Sequence, residues 1–164
     1  MPRAYISIGS NVNAEDNIGA AIVALKKRYG DLTLSTVYKN KAVGFDGDDF
    51  LNLVVGLETE QSIIDFVEHL HCIEAAQGRA RNIEKKFSSR TLDMDLLLYG
   101  NDVFYSDNIS IPRDEIIRYA FVLQPLFELV PDYYHPTEKC TIAQLWSSFD
   151  KQGLTMTPVE LVTL

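Results

Sequence analysis

The chain has 164 residues, 46% of them apolar, and 23 acidic against 15 basic side chains leave a formal charge of −8. That size and content exclude a disordered chain and support one domain over residues 1–164 with a real core. The acidic balance excludes a broad surface for DNA, RNA or anionic lipid, because phosphate backbones are held by an excess of Lys and Arg. Any phosphate ligand must therefore meet a local basic patch. Cys72 and Cys140 lie far apart and form no Cys-x-x-Cys pair, the pattern of reduced, buried and inert thiols in a cytoplasmic protein. Neither a signal-peptide leader nor a run of the ~20 apolar residues needed to span a bilayer is present, so the expected location is cytoplasmic.

Residues 4–8 crowd apolar and β-branched side chains before the turn-forming Gly9-Ser10-Asn11 and predict a strand. Ile18, Ala21, Ile22, Leu25 and Tyr29 then recur on one helical face that Gly30 stops. Residues 32–38 alternate as a strand, and the polar, glycine-bearing residues 39–49 predict a long exposed loop. A strand over 50–57 pairs with the preceding one. A helix over 62–77 turns Ile63, Phe66, Val67, Leu70 and Ile73 inward and ends at Gly78. The irregular, basic residues 78–90 lead into a core strand over 91–99. Short helices follow from Pro112, over 122–129 and over 141–149, while His135 is placed in a surface turn before Pro136. The order of these elements is the βαββαβ plan of an α+β, ferredoxin-like domain, with helices on a mostly antiparallel sheet and extra C-terminal helices. That plan hosts many functions and names none.

The sharpest chemical feature is Arg90-Thr91-Leu92-Asp93-Met94-Asp95. On a strand Asp93 and Asp95 project together while Leu92, Met94 and Leu96 face the other way. Two adjacent carboxylates are tolerated where water covers them, as an exposed acidic strand, or where a cation sits between them; hard oxygen ligands of this kind suit Mg²⁺. Just before them, residues 78–90 carry five basic residues against Glu84, a net +4 that leaves −12 on the remainder. This segment reads either as a solvated loop or as the phosphate clamp of a phosphoryl-transfer site. His69 and His71, two residues apart on a helix, point to different sides and share no metal.

Five motifs in order, Gly9-Ser10-Asn11, Phe50-Leu51-Asn52, Gly78-Arg79-Ala80-Arg81, Arg90 to Asp95 and Ala120 to Leu126, resemble the 6-hydroxymethyl-7,8-dihydropterin pyrophosphokinase family of folate biosynthesis over residues 4–147. The resemblance implies transfer of pyrophosphate from ATP to the pterin alcohol, with release of AMP, by a monomer that binds neither nucleic acid nor membrane. Two Mg²⁺ ions on the triphosphate would be held by Asp93 and Asp95. Arg79 and Arg90 would neutralise charge moving toward the leaving AMP, beside an ATP site of Glu74, Arg81, Lys86, Leu96, Ser110, Arg113 and Arg118. Glu74 has the simpler alternative of a solvated helix acid. Phe121 would stack on the pterin, Asn52 would bond its edge, and Gly9, Asn40, Val43, Phe50 and Phe87 would complete the pocket. Phe121 and Phe50 have plain core as their alternative. Loops 40–49 and 79–90 would close over both substrates.

The chain departs from that family pattern at Phe87, Ser88 and Asn40-Lys41-Ala42, and at Arg113 and Tyr119, which stand where the family has His and Arg. These departures keep open a diverged paralogue that binds nucleotide or pterin with little catalysis. An aspartyl-phosphate phosphatase is disfavoured by Leu97 and by the motif's place late in the chain. A two-metal cyclase or polymerase palm usually draws its acids from separate strands.

Overall fold

Alternating apolar side chains build the first strand, β1 (Arg3–Ser10): Ala4, Ile6 and Ile8 are fully buried on one side, and Tyr5 is buried on the other. The computed structural model describes residues 1–41, 49–77 and 92–161. Helix α1 (Ala14–Tyr29) lays Ile18, Ala21, Ile22 and Leu25 on the sheet as their spacing predicts, and it stops at Gly30, whose φ of 84° suits glycine.

The strand expected over 32–38 is broken in two, β2 (Thr33–Leu34) and β3 (Val37–Asn40). Side chains interrupt the ladder there. The Ser35 N–H donates to the Val54 carbonyl while its Oγ accepts the Val54 N–H, both at 2.9 Å. The next N–H, of Thr36, turns to Glu128 Oε2 at 3.0 Å. Strand β4 (Phe50–Glu58) and helix α2 (Ile63–Ala76) follow as expected, α2 capped by Ser62 Oγ accepting the Asp65 N–H at 3.1 Å. Strand β5 is Asp93–Tyr99. Of the expected loops, residues 42–48 and 78–91 lie outside the described residues.

Neighbouring strands are antiparallel throughout, in the order β10-β3-β4-β1-β5, where β10 is the late strand Thr157–Val159 and β2 pairs beside β4. The α+β reading holds: two βαβ passes interleave so that β1 and β4 occupy the centre. One hydrophobic cluster fills the face under α1 and α2, and a second fills the opposite face with Tyr5, Val54, Leu97 and Leu98.

That second face is covered by the C-terminal elements: a hairpin of β6 (Phe104–Tyr105) and β7 (Ser110–Ile111), helices α3 (Glu115–Arg118) and α4 (Ala120–Leu129), a hairpin of β8 (Tyr134–His135) and β9 (Cys140–Thr141), and α5 (Ile142–Ser148). The short helix starts at Glu115, three residues after Pro112. Helix α5 lies inside the expected range because Thr141 and Gln144 form a reciprocal capping box.

Two further expectations are corrected. Cys72 is exposed and Cys140 half-buried. His135 is buried, because its Nδ1 accepts the Glu138 N–H at 3.0 Å and so holds the turn from within. No helix among the described residues is long and apolar enough to cross a membrane.

Candidate active site

Residues opposite one another in antiparallel strands project to the same face, so the ladder register alone assembles the site. Tyr38 pairs with Asn52, Asn52 with Gly9, and Gly9 with Asp93: one row crosses four strands. The next row toward the strand ends joins Asn40 to Phe50, and the row behind joins Val54, Ser7 and Asp95. Thus Gly9, Asn40, Phe50, Asn52, Asp93 and Asp95, singled out separately along the chain, share the face that α3 and α4 cover.

Close packing explains the glycine. A Cβ on Gly9 would stand 3.3 Å from Asn52 Oδ1, tight enough that the amide would have to give by a few tenths of an ångström, so glycine leaves it room against β1. Asn52 is 7% exposed, and its Oδ1 has no hydrogen-bond donor among the described residues. Asn40 Nδ2 is likewise buried without an acceptor. An orphaned acceptor and an orphaned donor on one face are the complement of a planar ligand with amide-like edges. Tyr38, which sequence reasoning missed, closes the row: its hydroxyl donates to Glu128 Oε1 at 2.6 Å. Burial first, and then the Glu128 bond and charge, push its pKa up to about 12. Its place two residues before Asn40 was the available signal.

At the other end of the row Asp93 and Asp95 are half-buried. Arg113 Nη2 approaches Asp95 Oδ1 at 3.5 Å, while its Nε and Nη2 bond Glu115 Oε1 at 2.9 and 2.7 Å. Burial alone would lower this guanidinium's pKa, but Asp95, Glu115 and Glu74 around it hold it above its ordinary value. Glu115, also missed, is visible in the sequence only as an acid two residues from Arg113. Glu74 is not a solvated acid: it is buried on α2, and its Oε2 accepts the Met94 N–H at 2.7 Å, gripping the strand between the two aspartates.

Phe121, half-buried at the start of α4, stacks on Tyr119 with centroids 4.9 Å apart. The arginine expected by resemblance at position 119 is thus replaced by a second ring. Ser110 lies in β7, and Arg118, on α3, is largely exposed and pairs with Asp114 at 2.6 Å. The Leu96 side chain sits in the core under α2, on the face opposite Asp93 and Asp95 as the alternation predicts. Val43, Arg79, Arg81, Lys86, Phe87 and Arg90 lie outside the described residues.

The donor set suits one class of ion. Among the described residues no three His, Cys, Asp or Glu side chains converge as a closed cage. Two hard carboxylates on one strand fit Mg²⁺, which keeps one or two carboxylates and takes its other ligands from phosphate and water.

Comparison with known proteins shows the family. The model of the 7,8-dihydro-6-hydroxymethylpterin-pyrophosphokinase (HPPK) family matches residues 5–131. A 2-amino-4-hydroxy-6-hydroxymethyldihydropteridine pyrophosphokinase of Haemophilus influenzae is 36% identical over 143 residues, 85% of this chain and 88% of that one. The protein of the same name from Pseudomonas aeruginosa is 33% identical over 140 residues, 83% of this chain and 85% of its own. Among solved structures, wild-type HPPK-DHPS of Plasmodium falciparum shares the fold with a TM-score of 0.73 at 14% identity, over 89% of this chain and 44% of that longer one.

Proposed function

The chain belongs to the 7,8-dihydro-6-hydroxymethylpterin-pyrophosphokinase family, and from that premise we propose how its own residues carry out the transfer of pyrophosphate from ATP to 6-hydroxymethyl-7,8-dihydropterin in folate biosynthesis. The pterin hydroxyl oxygen attacks the β-phosphorus. Its bond to that phosphorus forms as the bond from the β-phosphorus to the bridging oxygen breaks, and AMP leaves with that oxygen. The hydroxyl proton is lost to solvent.

The observation that carries the reading is the row Tyr38, Asn52, Gly9, Asp93. It sets the unsatisfied Asn52 amide two strands away from the paired carboxylates on one face, about 10 Å at the usual strand spacing. The amide end suits the pterin. Asn52 Oδ1 accepts from a ring N–H or amino group, Asn40 Nδ2 donates to a ring acceptor, and the Tyr119–Phe121 stack offers an aromatic face. Such fixed contacts bring the hydroxymethyl group to the triphosphate in one orientation.

The carboxylate end suits the metal-bound triphosphate. Asp93 and Asp95 would hold two Mg²⁺ ions, whose chemistry there is to neutralise phosphate charge and to make the pterin hydroxyl more acidic. Arg113 adds a guanidinium beside them for phosphate oxygens, and the basic residues of 79–90, Arg79 and Arg90 above all, would meet charge developing on AMP. Glu74 acts at one remove by fixing the Met94 backbone. The acting unit we propose is a cytoplasmic monomer of one domain.

Incubation with ATP, MgCl₂ and the dihydropterin alcohol tests this: AMP and pterin diphosphate are expected in equal amounts, both lost on chelation with EDTA. Release of ADP in place of AMP, or tight binding of both substrates without turnover, would contradict the proposal.

A further inference from the structure

Three contacts place Arg113. Its backbone N–H donates to the Leu97 carbonyl at 3.0 Å. Leu97 is the extra residue of a bulge in β5, where Leu96 pairs with Ile6 and Leu98 with Tyr5, so that carbonyl is available to an outside donor. Glu115 Oε1 then takes both Nε and Nη2, at 2.9 and 2.7 Å, and Nη2 reaches Asp95 Oδ1 at 3.5 Å. The grip on Glu115 is the shorter, so the guanidinium can leave Asp95 while staying tethered.

This arrangement bears on Asp95 as an ion ligand. A Mg²⁺ ion lies about 2.1 Å from a coordinating oxygen, so an ion bound directly to that Oδ1 would stand within about 5.6 Å of Nη2. Like charges this close in a half-buried site oppose each other. Resting on the metal role proposed for Asp93 and Asp95, we infer that Arg113, tethered by Glu115, is a competing counter-ion of Asp95 that weakens divalent-cation binding until a polyphosphate draws its guanidinium away. Arg113 thereby couples the two ligands. By linkage, whatever a nucleotide gains from the guanidinium also favours the cation. A neutral side chain at this position would leave Asp95 open to the ion in the absence of nucleotide.

The test is titration of the full chain with Mn²⁺ at pH 8 without nucleotide, read from the EPR signal of the free ion. Arg113→Gln and Arg113→Met each remove the charge without adding a metal ligand of imidazole type, and both are expected to tighten Mn²⁺ about tenfold. Arg28→Gln removes an equal charge from the last turn of α1, at the opposite end of the sheet, and is expected to leave the affinity unchanged. Unaltered or weaker binding in both folded Arg113 variants overturns the inference, as does equal tightening by Arg28→Gln, which would reveal only the net charge. Asp95→Asn separates the underlying reading: if it leaves Mn²⁺ affinity intact, Asp95 is not a ligand and both readings fall. If it weakens binding while the Arg113 variants change nothing, only the competition is wrong.

Discussion

A buried amide oxygen without a donor costs about 1–3 kcal/mol, and Asn52 carries one at the centre of the sheet. A position selected for stability alone would hold an apolar residue there, so the amide is readily explained by a ligand. Asn52→Leu is accordingly expected to be at least as stable as the wild type in urea titration, while its affinity for the dihydropterin, measured by calorimetry, falls at least about tenfold. Loss of stability with pterin binding intact would place the amide in the fold instead of the site. Asp95 makes the opposite case. Its carboxylate lies beside a guanidinium and on the same face as Asp93, so Asp95→Asn removes the charge that the proposed metal role requires. Turnover should fall about 10²–10³-fold, the range for losing one preorganised electrostatic group, with pterin binding still measurable. Undiminished AMP release would remove Asp95 from the metal site.

Strand β5 shows how an element converts pattern into placement. Period-two alternation made the common face of Asp93 and Asp95 legible, and the facing residues Gly9 and Asn52 were legible as short motifs. The bulge was not. Leu96-Leu97-Leu98 is a continuous apolar run with no phase to reveal an extra residue, and only the ladder shows that Leu97 is unpaired. Arg113's approach to Asp95 follows from that bulge and was therefore hidden. The solvated alternative for Glu74 stayed open in the sequence for a related reason: the partner that makes its burial tolerable is a backbone N–H 20 residues away. That N–H sits on the outer edge of the sheet, since β5 has β1 on one side only. Glu74→Ala should leave it buried and unsatisfied and lower stability by about 1–3 kcal/mol, whereas Glu74→Gln retains an acceptor oxygen and should lose less than half as much. Denaturant midpoints of the two variants decide this; equal losses would mean that the charge, and not the hydrogen bond, holds the strand.

At the scale of the whole molecule, the formal charge of −8 suggests that mild acid should relieve self-repulsion and stabilise the fold. Two histidines argue the reverse. His135 is sealed in the β8–β9 turn, where its unprotonated Nδ1 accepts a backbone N–H, and His69 shares a 2.6 Å contact with the Tyr29 hydroxyl. Burial lowers both pKa values, against the pull of Glu138 at His135 and with added opposition from Arg28 at His69. Above the unfolded value of about 6.5 both states are neutral and the shift has no effect. Below it the unfolded chain takes up protons that the folded one resists, so stability declines as pH falls toward the lowered folded values. Carboxylates of ordinary pKa titrate near 4, too low to compensate in that window. The melting temperature should therefore drop between pH 7.5 and 5.5. In the double variant His69→Gln, His135→Asn the difference between the two pH values should largely vanish, whatever the absolute melting temperature; an unchanged difference would show that these histidines are not the source of the acid sensitivity.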